Sequence, residues 1–189
     1  MKEKELVKLS RKGDEQAFSK LVEIYKRKVF NLAYSLTQNR DVADDIAQEA
    51  FIKAYFGLES FKFKSEFGTW LYRITINLIR DHMRKKKRMK KLVREHVKEN
   101  PFMYKDEIEE REKKLREEEK RKFVHRFIRT LPEKYQLILT LRDIHGYSYQ
   151  DIAKILNISS GTVDSRLHRA RRQLRKKIEP FLKEKRRRS

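Results

Sequence analysis

Apolar residues recur every three or four positions from Phe18 to Leu36, as Phe18, Leu21, Val22, Tyr25, Val29, Leu32, Ala33 and Leu36. That period predicts one long helix with a single buried face. Glu3 to Ser10 predicts a shorter helix before it; Gly13 stops the first and Asp14 caps the second. Asn39 breaks the run, and Asp41 is the expected cap of a third helix in DVADDIAQEAFIKAYFGLESF, whose Val42, Ile46, Ala50, Phe51 and Ala54 turn towards the same core. The stretch FKFKSEFG, Phe61 to Gly68, lacks a helical period and predicts a loop rich in aromatics and lysines. A fourth helix follows, Thr69 to Arg88. Its Leu71, Tyr72, Thr75, Leu78, Ile79 and His82 share a core side, and Trp70, Arg73, Asn77, Asp81 and Arg84 share the side left for solvent or a ligand.

A second set of helices begins near Phe123. Pro132 fits the first turn of a helix through EKYQLILTLRDI, ended at Gly146, with Tyr135, Ile138, Leu141 and Ile144 as its packing face. The next stretch, Tyr147 to Arg175, predicts a helix-turn-helix. Ser148 stands three residues before Asp151, a cap followed by a first-turn acid, and Ile152, Ala153, Ile155 and Leu156 make one short amphipathic helix. Asn157 tolerates the left-handed turn, Ile158 plugs the corner, and Ser159 or Ser160 offers a second cap. In the second helix Val163, Leu167, Ala170 and Leu174 form a buried stripe, while Gly161, Ser165, His168, Arg169 and Arg172 point away from it. A recognition helix needs small and hydrogen-bonding residues at its start and cations further on, which is this order. A helical hairpin with a solvated basic face is the plainer alternative.

Charge changes the picture next. The 49 Lys and Arg against 28 Asp and Glu leave a net +21, which favours a polyanion as partner and disfavours self-association, so a monomer is expected. Nucleic acid is the first expectation. A membrane surface is the second, but no apolar run approaches the roughly 20 residues of a spanning helix. The stretch MKEKELVKLSRKGDE has no signal-peptide character, and a cytoplasmic protein without membrane insertion is expected. With no cysteine, and with five histidines that lack ligand spacing, no metal site or cofactor is expected. From Arg84 to Lys98 nine of fifteen residues are basic, whereas from Glu99 to Lys120 acids outnumber bases nine to six, so the sign change marks a boundary. The expected organisation is all-α: a helical domain over 1–95, a charged linker over 96–122, and a helix-turn-helix domain over 123–189 that ends in the basic arm KEKRRRS.

Two clusters carry candidate chemistry besides the helix-turn-helix. Asp44, Asp45, Gln48 and Glu49 form an acidic face in a basic chain: either a solvated surface or a docking face for a basic protein, since phosphate would be repelled there. Trp70 with Arg73 and Asn77, beside Phe61, Phe63 and Phe67, supplies what stacking on unpaired bases requires; simple packing of Trp70 is the other possibility.

These residues resemble the extracytoplasmic-function (ECF) sigma factors of bacterial RNA polymerase. DDIAQEAFIKAY, FGTWLYRITINLIRD and LPEKYQLILTLRDIHGYSYQDIAKILNISSGTVDSRLHRARRQL are similar to three family signatures, in the family's order and spacing, over roughly Gly13 to Arg88 and Leu131 to Ile178. The resemblance implies a sigma region 2-like bundle, a sigma region 4-like helix-turn-helix domain and no catalytic activity. It places Asp44, Asp45, Gln48 and Glu49 on the clamp helices of the polymerase largest subunit. Phe61, Phe63, Lys64 and Phe67 fall in the loop that captures a base flipped from the minus-ten element, and Trp70, Arg73, Asn77 and Arg84 on the adjoining reading helix. Ser160, Gly161, Thr162, Asp164, Ser165, Arg166, His168, Arg169 and Arg172 fall on the helix that reads the minus-thirty-five element in the major groove. The linker resembles the segment that threads the polymerase towards its active site and RNA exit channel, and an anti-sigma factor is an expected partner. Asp164 departs from the family pattern, standing where many members have Lys or Arg; its carboxylate could read a base edge or pair with His168.

Two other functions compete. A helix-turn-helix regulator acting without core polymerase would need neither the acidic face nor the aromatic, basic stripe, and would dimerise on a palindrome. A metal-dependent nuclease would need Asp41, Asp44, Asp45 or Asp81 with His82 to converge on one cation, and their predicted faces diverge.

Overall fold

The computed structural model describes residues 2–94 and 123–188, which are helical with short connections and contain no strand among the described residues. The linker expected over 96–122 lies outside them.

Helix α1 (Glu3–Arg11) ends before Gly13, whose φ of +91° is a left-handed conformation that glycine adopts without steric cost. The Asp14 side chain then accepts from the Ala17 N–H at 2.9 Å and starts α2 (Glu15–Thr37). Gln38, at φ 52°, closes α2. For α3 (Arg40–Gly57) the expected cap is off by two residues: Asn39 accepts from the Val42 N–H at 3.0 Å, and Asp41 sits inside the first turn. There its carboxylate still faces the positive end of the helix dipole. A 3-10 turn, Leu58–Ser60, leads to the loop before α4 (Phe67–Arg94), which starts two residues earlier than Thr69 and runs past Arg88.

The core of this half follows from the side chains that the four helices bring together. Leu21, Val29 and Leu32 of α2 and Leu71, Ile76 and Ile79 of α4 are fully buried, and α3 presents the alanines Ala43, Ala50 and Ala54 to them. Small side chains let that helix axis approach closely. Leu6 and Val7 seal the end under α1. Tyr25 lies at the crossing: its ring meets Phe67 at 5.6 Å and Tyr72 at 6.0 Å edge-on, and its hydroxyl donates to the Glu3 carboxylate. Burial and that carboxylate raise its pKa, so the phenol remains a donor.

The second half starts with α5, helical over 123–128 among the described residues. Pro132 is the cap of α6 (Glu133–Leu139) rather than a first-turn residue; its ψ of 143° is extended, outside the helical range. Helix α6 widens into a π turn over Thr140–Ile144, with the His145 N–H donating five residues back to the Thr140 carbonyl at 3.0 Å. That extra residue rotates Ile144 off the packing face, so it is 37% exposed while Tyr135, Ile138 and Leu141 are buried. Helices α7 (Tyr149–Leu156) and α8 (Ser160–Arg188) follow, and α8 continues through the segment expected as a basic arm, with Pro180 inside it.

The halves touch. Helix α7 packs against α4, the Tyr72 and Tyr147 rings meet edge-on at 5.3 Å, and Ser35 Oγ lies 3.0 Å from His145 Nε2. Burial and the nearby His125 lower the pKa of His145, which favours its neutral form at this seam.

Gly68 is the tightest point. A Cβ there would lie 2.8 Å from the Tyr25 ring, which is itself held by Glu3, Phe67 and Tyr72. Gly68→Ala should destabilise the chain by about 1 to 3 kcal/mol, through overpacking against a ring that cannot retreat. Urea denaturation checks this; an unchanged midpoint would show that Tyr25 yields freely.

Candidate functional site

The local signals predicted for the helix-turn-helix are met at atomic detail. Ser148 Oγ accepts from the Asp151 N–H at 3.1 Å and donates to its carboxylate at 2.6 Å, Asn157 takes φ 53° and ψ 54°, and Ile158 packs on the core. Of the two candidate caps it is Ser159 that serves, accepting from the Thr162 N–H at 3.2 Å. Val163, Leu167 and Ala170 are buried, and Leu174 is partly so. On the other face Ser160, Gly161, Asp164, His168, Arg169 and Arg172 are exposed, and nothing lies within 4 Å of a Cβ on Gly161. Thr162 and Ser165 are half-buried, with the Thr162 hydroxyl 2.8 Å from Ser159 Oγ and Ser165 donating to the Thr162 carbonyl at 3.2 Å. Among the described residues no hydrogen bond or ion pair joins Asp164 to His168. Arg166 is half-buried, close enough to α4 for its charge to act on Arg80. A residue outside the predicted set, Arg171, ties α8 to the end of α6: its Nε lies 3.2 Å from Asp143 Oδ2 and a second N–H donates to Oδ1. That carboxylate raises the Arg171 pKa.

Helix α3 presents Asp44, Asp45, Gln48 and Glu49 to solvent, and the Glu49 carboxylate is 3.1 Å from Lys53. The same stripe continues in two apolar side chains that the predicted face omits. Ile52 is 56% exposed and Phe56 78% exposed. Gln48, Ile52 and Phe56 are four residues apart, so helical spacing alone extends the face to them.

The loop before α4 differs from expectation. Phe61 and Phe67 are 4% and 2% exposed, so both belong to the core and neither offers a face to a base. Trp70 is half-buried rather than solvent-facing: its ring lies 5.0 Å from Phe61 and 5.8 Å from Phe67, and a Cβ on Gly57 would touch it at 3.1 Å. These aromatic and small residues pack together because the loop must cover the end of α3 as well as reach α4. Phe63 is the ring left partly open. At φ 54° it lines a cleft of about 680 Å³ with Glu5, Lys8, Leu9, Arg11 and Lys12 of the α1 region. Lys64 is exposed beside it.

Along α4, Arg73 is half-buried, and Asn77, Asp81 and Arg84 are exposed. Arg84 Nη1 lies 3.5 Å from Asp81 Oδ1, so one cation of the stripe has an acid beside it. Arg80 stands on the edge of this stripe, outside the predicted set. Its Nη1 is 3.5 Å from Asn77 Oδ1, and its Nε is 3.5 Å from Glu133 Oε1 of the second half. Among the described residues no group of three His, Cys, Asp or Glu comes together as a metal site, so Asp41, Asp44, Asp45, Asp81 and His82 are not convergent. No described helix is long and apolar enough to cross a membrane.

Comparison with known proteins adds identity to this geometry. The model of sigma-70 region 2 matches residues 21–89, and that of sigma-70 region 4 matches residues 121–174. The ECF RNA polymerase sigma factor SigW of Bacillus subtilis is 40% identical over 179 residues, covering 93% of this chain and 96% of the relative. The ECF RNA polymerase sigma-E factor of Escherichia coli K12 is 38% identical, covering 94% and 95%. Among solved structures, CnrH in complex with the cytosolic domain of CnrY has the same fold, with a TM-score of 0.67 at 24% identity over 93% of this chain and 96% of that one. The sigma factor RpoE in complex with the anti-sigma factor NepR from Bartonella quintana gives 0.62 at 23% identity, covering 86% and 96%. With both region models matched in order and relatives at this identity spanning nearly the whole chain, the protein belongs to the ECF sigma factors, non-enzymatic initiation factors of bacterial transcription.

Proposed function

We propose that this chain binds core RNA polymerase through α3, reads the minus-ten element as unpaired bases with the loop after Leu58–Ser60 and α4, and reads the minus-thirty-five element as duplex with α8. The observation that carries this reading is the separation of charge. An exposed acidic and apolar stripe on α3, Asp44 to Phe56, stands in a chain of net charge +21 that has two other polar faces rich in cations and amides. The acids would repel DNA and suit a basic protein surface, here the clamp helices of the largest subunit, and the other faces suit phosphates and base edges.

On the minus-ten side, Phe63 and Lys64 meet the captured base, while Arg73, Asn77 and Arg84 line the single strand. Phe61 and Phe67 hold the loop from behind, and Trp70 forms its wall. On the minus-thirty-five side, Ser160, Gly161, Thr162, Asp164 and Ser165 approach base edges, and Arg166, His168, Arg169 and Arg172 lie further along towards phosphates. Domain limits of 1–95 and 123–189, an intervening linker over 96–122, a monomeric free chain, a cytoplasmic location and an anti-sigma partner complete the proposal; the solved RpoE structure holds that sigma factor with the anti-sigma factor NepR.

Purified chain with core polymerase should give run-off transcription from promoters upstream of its own gene, and core alone should give none. In that assay Asp45→Arg with Glu49→Arg should abolish transcription and core association while helicity by circular dichroism is kept. Unchanged affinity for core would leave the acidic stripe a solvated face. The loop separates packing from base contact: Asn77→Ala should reduce permanganate-detected melting at unchanged stability, whereas Trp70→Ala should also cost about 2 to 4 kcal/mol of folding because it empties a packed site. Normal melting in Asn77→Ala would remove Asn77 from the reading face.

Asp164 is exposed with no bond to His168, which favours a base-reading role over a surface pair. Selection from a randomised minus-thirty-five library should show Asp164→Ala relaxing the preference at one or two adjacent positions by about 1 to 3 kcal/mol per base pair. Identical selected sequences for the two proteins would end that assignment.

A further inference from the structure

Helix α1 carries a basic side that belongs neither to the α3 stripe nor to the α4 and α8 faces. Lys8, Arg11 and Lys12 are exposed there. Arg11 and Lys12 stand three and four residues after Lys8, which places each about 5 to 6 Å from it between Cβ atoms. Among the described residues no ion pair holds any of the three. They rim the cleft of about 680 Å³ whose remaining lining is Glu5, Leu9 and Phe63. Leu9 and Phe63 are its apolar parts, both packed on the core and both left partly open. Glu5 is the acid of the lining, and its carboxylate is engaged at the start of α1, accepting from the Lys2 N–H at 2.9 Å. Clefts of about 300 to 1,000 Å³ take drug-sized molecules, and a single nucleotide is of that size.

The aromatic wall decides between occupants. Phe63 has a left-handed backbone, φ 54°, which a bulky residue adopts where its surroundings impose it. Phe61 supports the ring from the buried side, with the centroids 5.0 Å apart. The ring is thereby held between a loop that carries exposed Lys62 and Lys64 and the basic side of α1. A flat apolar wall beside a row of cations is complementary to a base together with its phosphates. An acidic peptide would satisfy the cations and leave Phe63 and Leu9 unused. The cleft is also continuous with the base-capturing loop, because Phe63 belongs to both. A strand whose captured base meets Phe63 has α1 as its next surface.

We propose that this cleft is a second nucleotide site. It takes the unpaired base next to the captured one, stacked against Phe63 and Leu9, with Lys8, Arg11 and Lys12 on the flanking phosphates. This rests on the assignment of the loop to minus-ten reading. Phe63 then stands between two bases, the captured one on the Lys64 side and its neighbour on the α1 side. Stacking reads no base edge, so the site contributes affinity for the melted strand rather than sequence preference.

The test uses holoenzyme assembled from the full chain and core polymerase, with a fluorescent single strand that carries the non-template sequence of a promoter upstream of the chain's own gene. Replacing one nucleotide at a time by an abasic one should weaken binding at the captured position and at one neighbouring position, there by about 5- to 100-fold, the range for stacking one base. Lys8→Ala with Arg11→Ala should shrink that second penalty, because the nucleotide is no longer held. The same double variant should reduce the slope of log affinity against log salt by about 1.4, since each phosphate contact on a single strand contributes about 0.7. Lys20→Ala with Arg27→Ala removes equal charge from exposed positions of α2 and should leave slope and penalties as in the unmodified chain. Helicity by circular dichroism and affinity for core should be the same in both. Coincident slopes in the two double variants would overturn the site, as would a neighbouring position that does not respond to base removal. An oligoglutamate peptide that binds more tightly than the strand at equal salt, and loses this in Lys8→Ala with Arg11→Ala, would reassign the cleft to an acidic protein. Response at the captured position alone overturns the second site and leaves the loop assignment standing; a strand indifferent at every position overturns the minus-ten assignment beneath it.

Discussion

Tyr25 is the residue through which the helices are set against one another. Its hydroxyl is held by Glu3 of α1, its ring rests on Phe67 and Tyr72 of α4, and its edge occupies the space that a side chain at position 68 would need. The starting point and tilt of α4 therefore follow from a phenol in the middle of α2. The loop of residues 61–66 must end where α4 begins, so the placement of Phe63 and Lys64 depends on the same contact. Tyr72 carries it further, because its ring is next in line to Tyr147 and hence to the helix-turn-helix half. Aromatic edges are suited to fixing helices in this way, since they bury a large area and their geometry is directional where aliphatic contacts slide.

How much of this was legible in the sequence depended on the range of the signal. Ser148, Asn157 and Asp14 act on backbone groups three or four residues away, and their roles could be read directly. Competition between neighbouring caps was harder: Asn39 and Asp41 both carry a suitable oxygen, and the left-handed Gln38 just before Asn39 fixes which one starts α3. Ile144 was misplaced because a π turn adds a residue that no apolar period announces. The aromatic loop failed for a different reason. FKFKSEFG alternates in a way that suggests rings beside lysines on a surface, yet which rings turn inward is decided by Gly57, Trp70 and the end of α3, contacts not encoded within the loop. Phe63 stays open and Phe61 does not, although the two are near neighbours in sequence with rings 5.0 Å apart.

The candidate faces show a second constraint, which is charge. A net +21 would draw polyanions to any surface, so a protein-docking surface has to be marked by local reversal of sign. On the proposed reading Asp44, Asp45 and Glu49 provide this, and Ile52 and Phe56 add the apolar area that a charged rim lacks. The predicted face stopped at Glu49 because attention to acids misses apolar residues that continue the same stripe. Arg80 was missed in the mirror-image way: it is one of many cations, and only its position between two faces of α4 and its pairing across the seam distinguish it.

The seam between the halves is the consequence of combining these constraints. Helix α7 covers part of the remaining apolar side of α4, and this packing brings Arg166 of α8 close enough for its charge to act on Arg80. The individual contacts that oppose this repulsion are small: a part-exposed ion pair contributes about 0.2 to 1 kcal/mol, and a neutral hydrogen bond about 0.5 to 1.5 kcal/mol net. Neutral His145 fits that balance, because a protonated ring would add a cation beside the Ser35 hydroxyl at this half-buried seam.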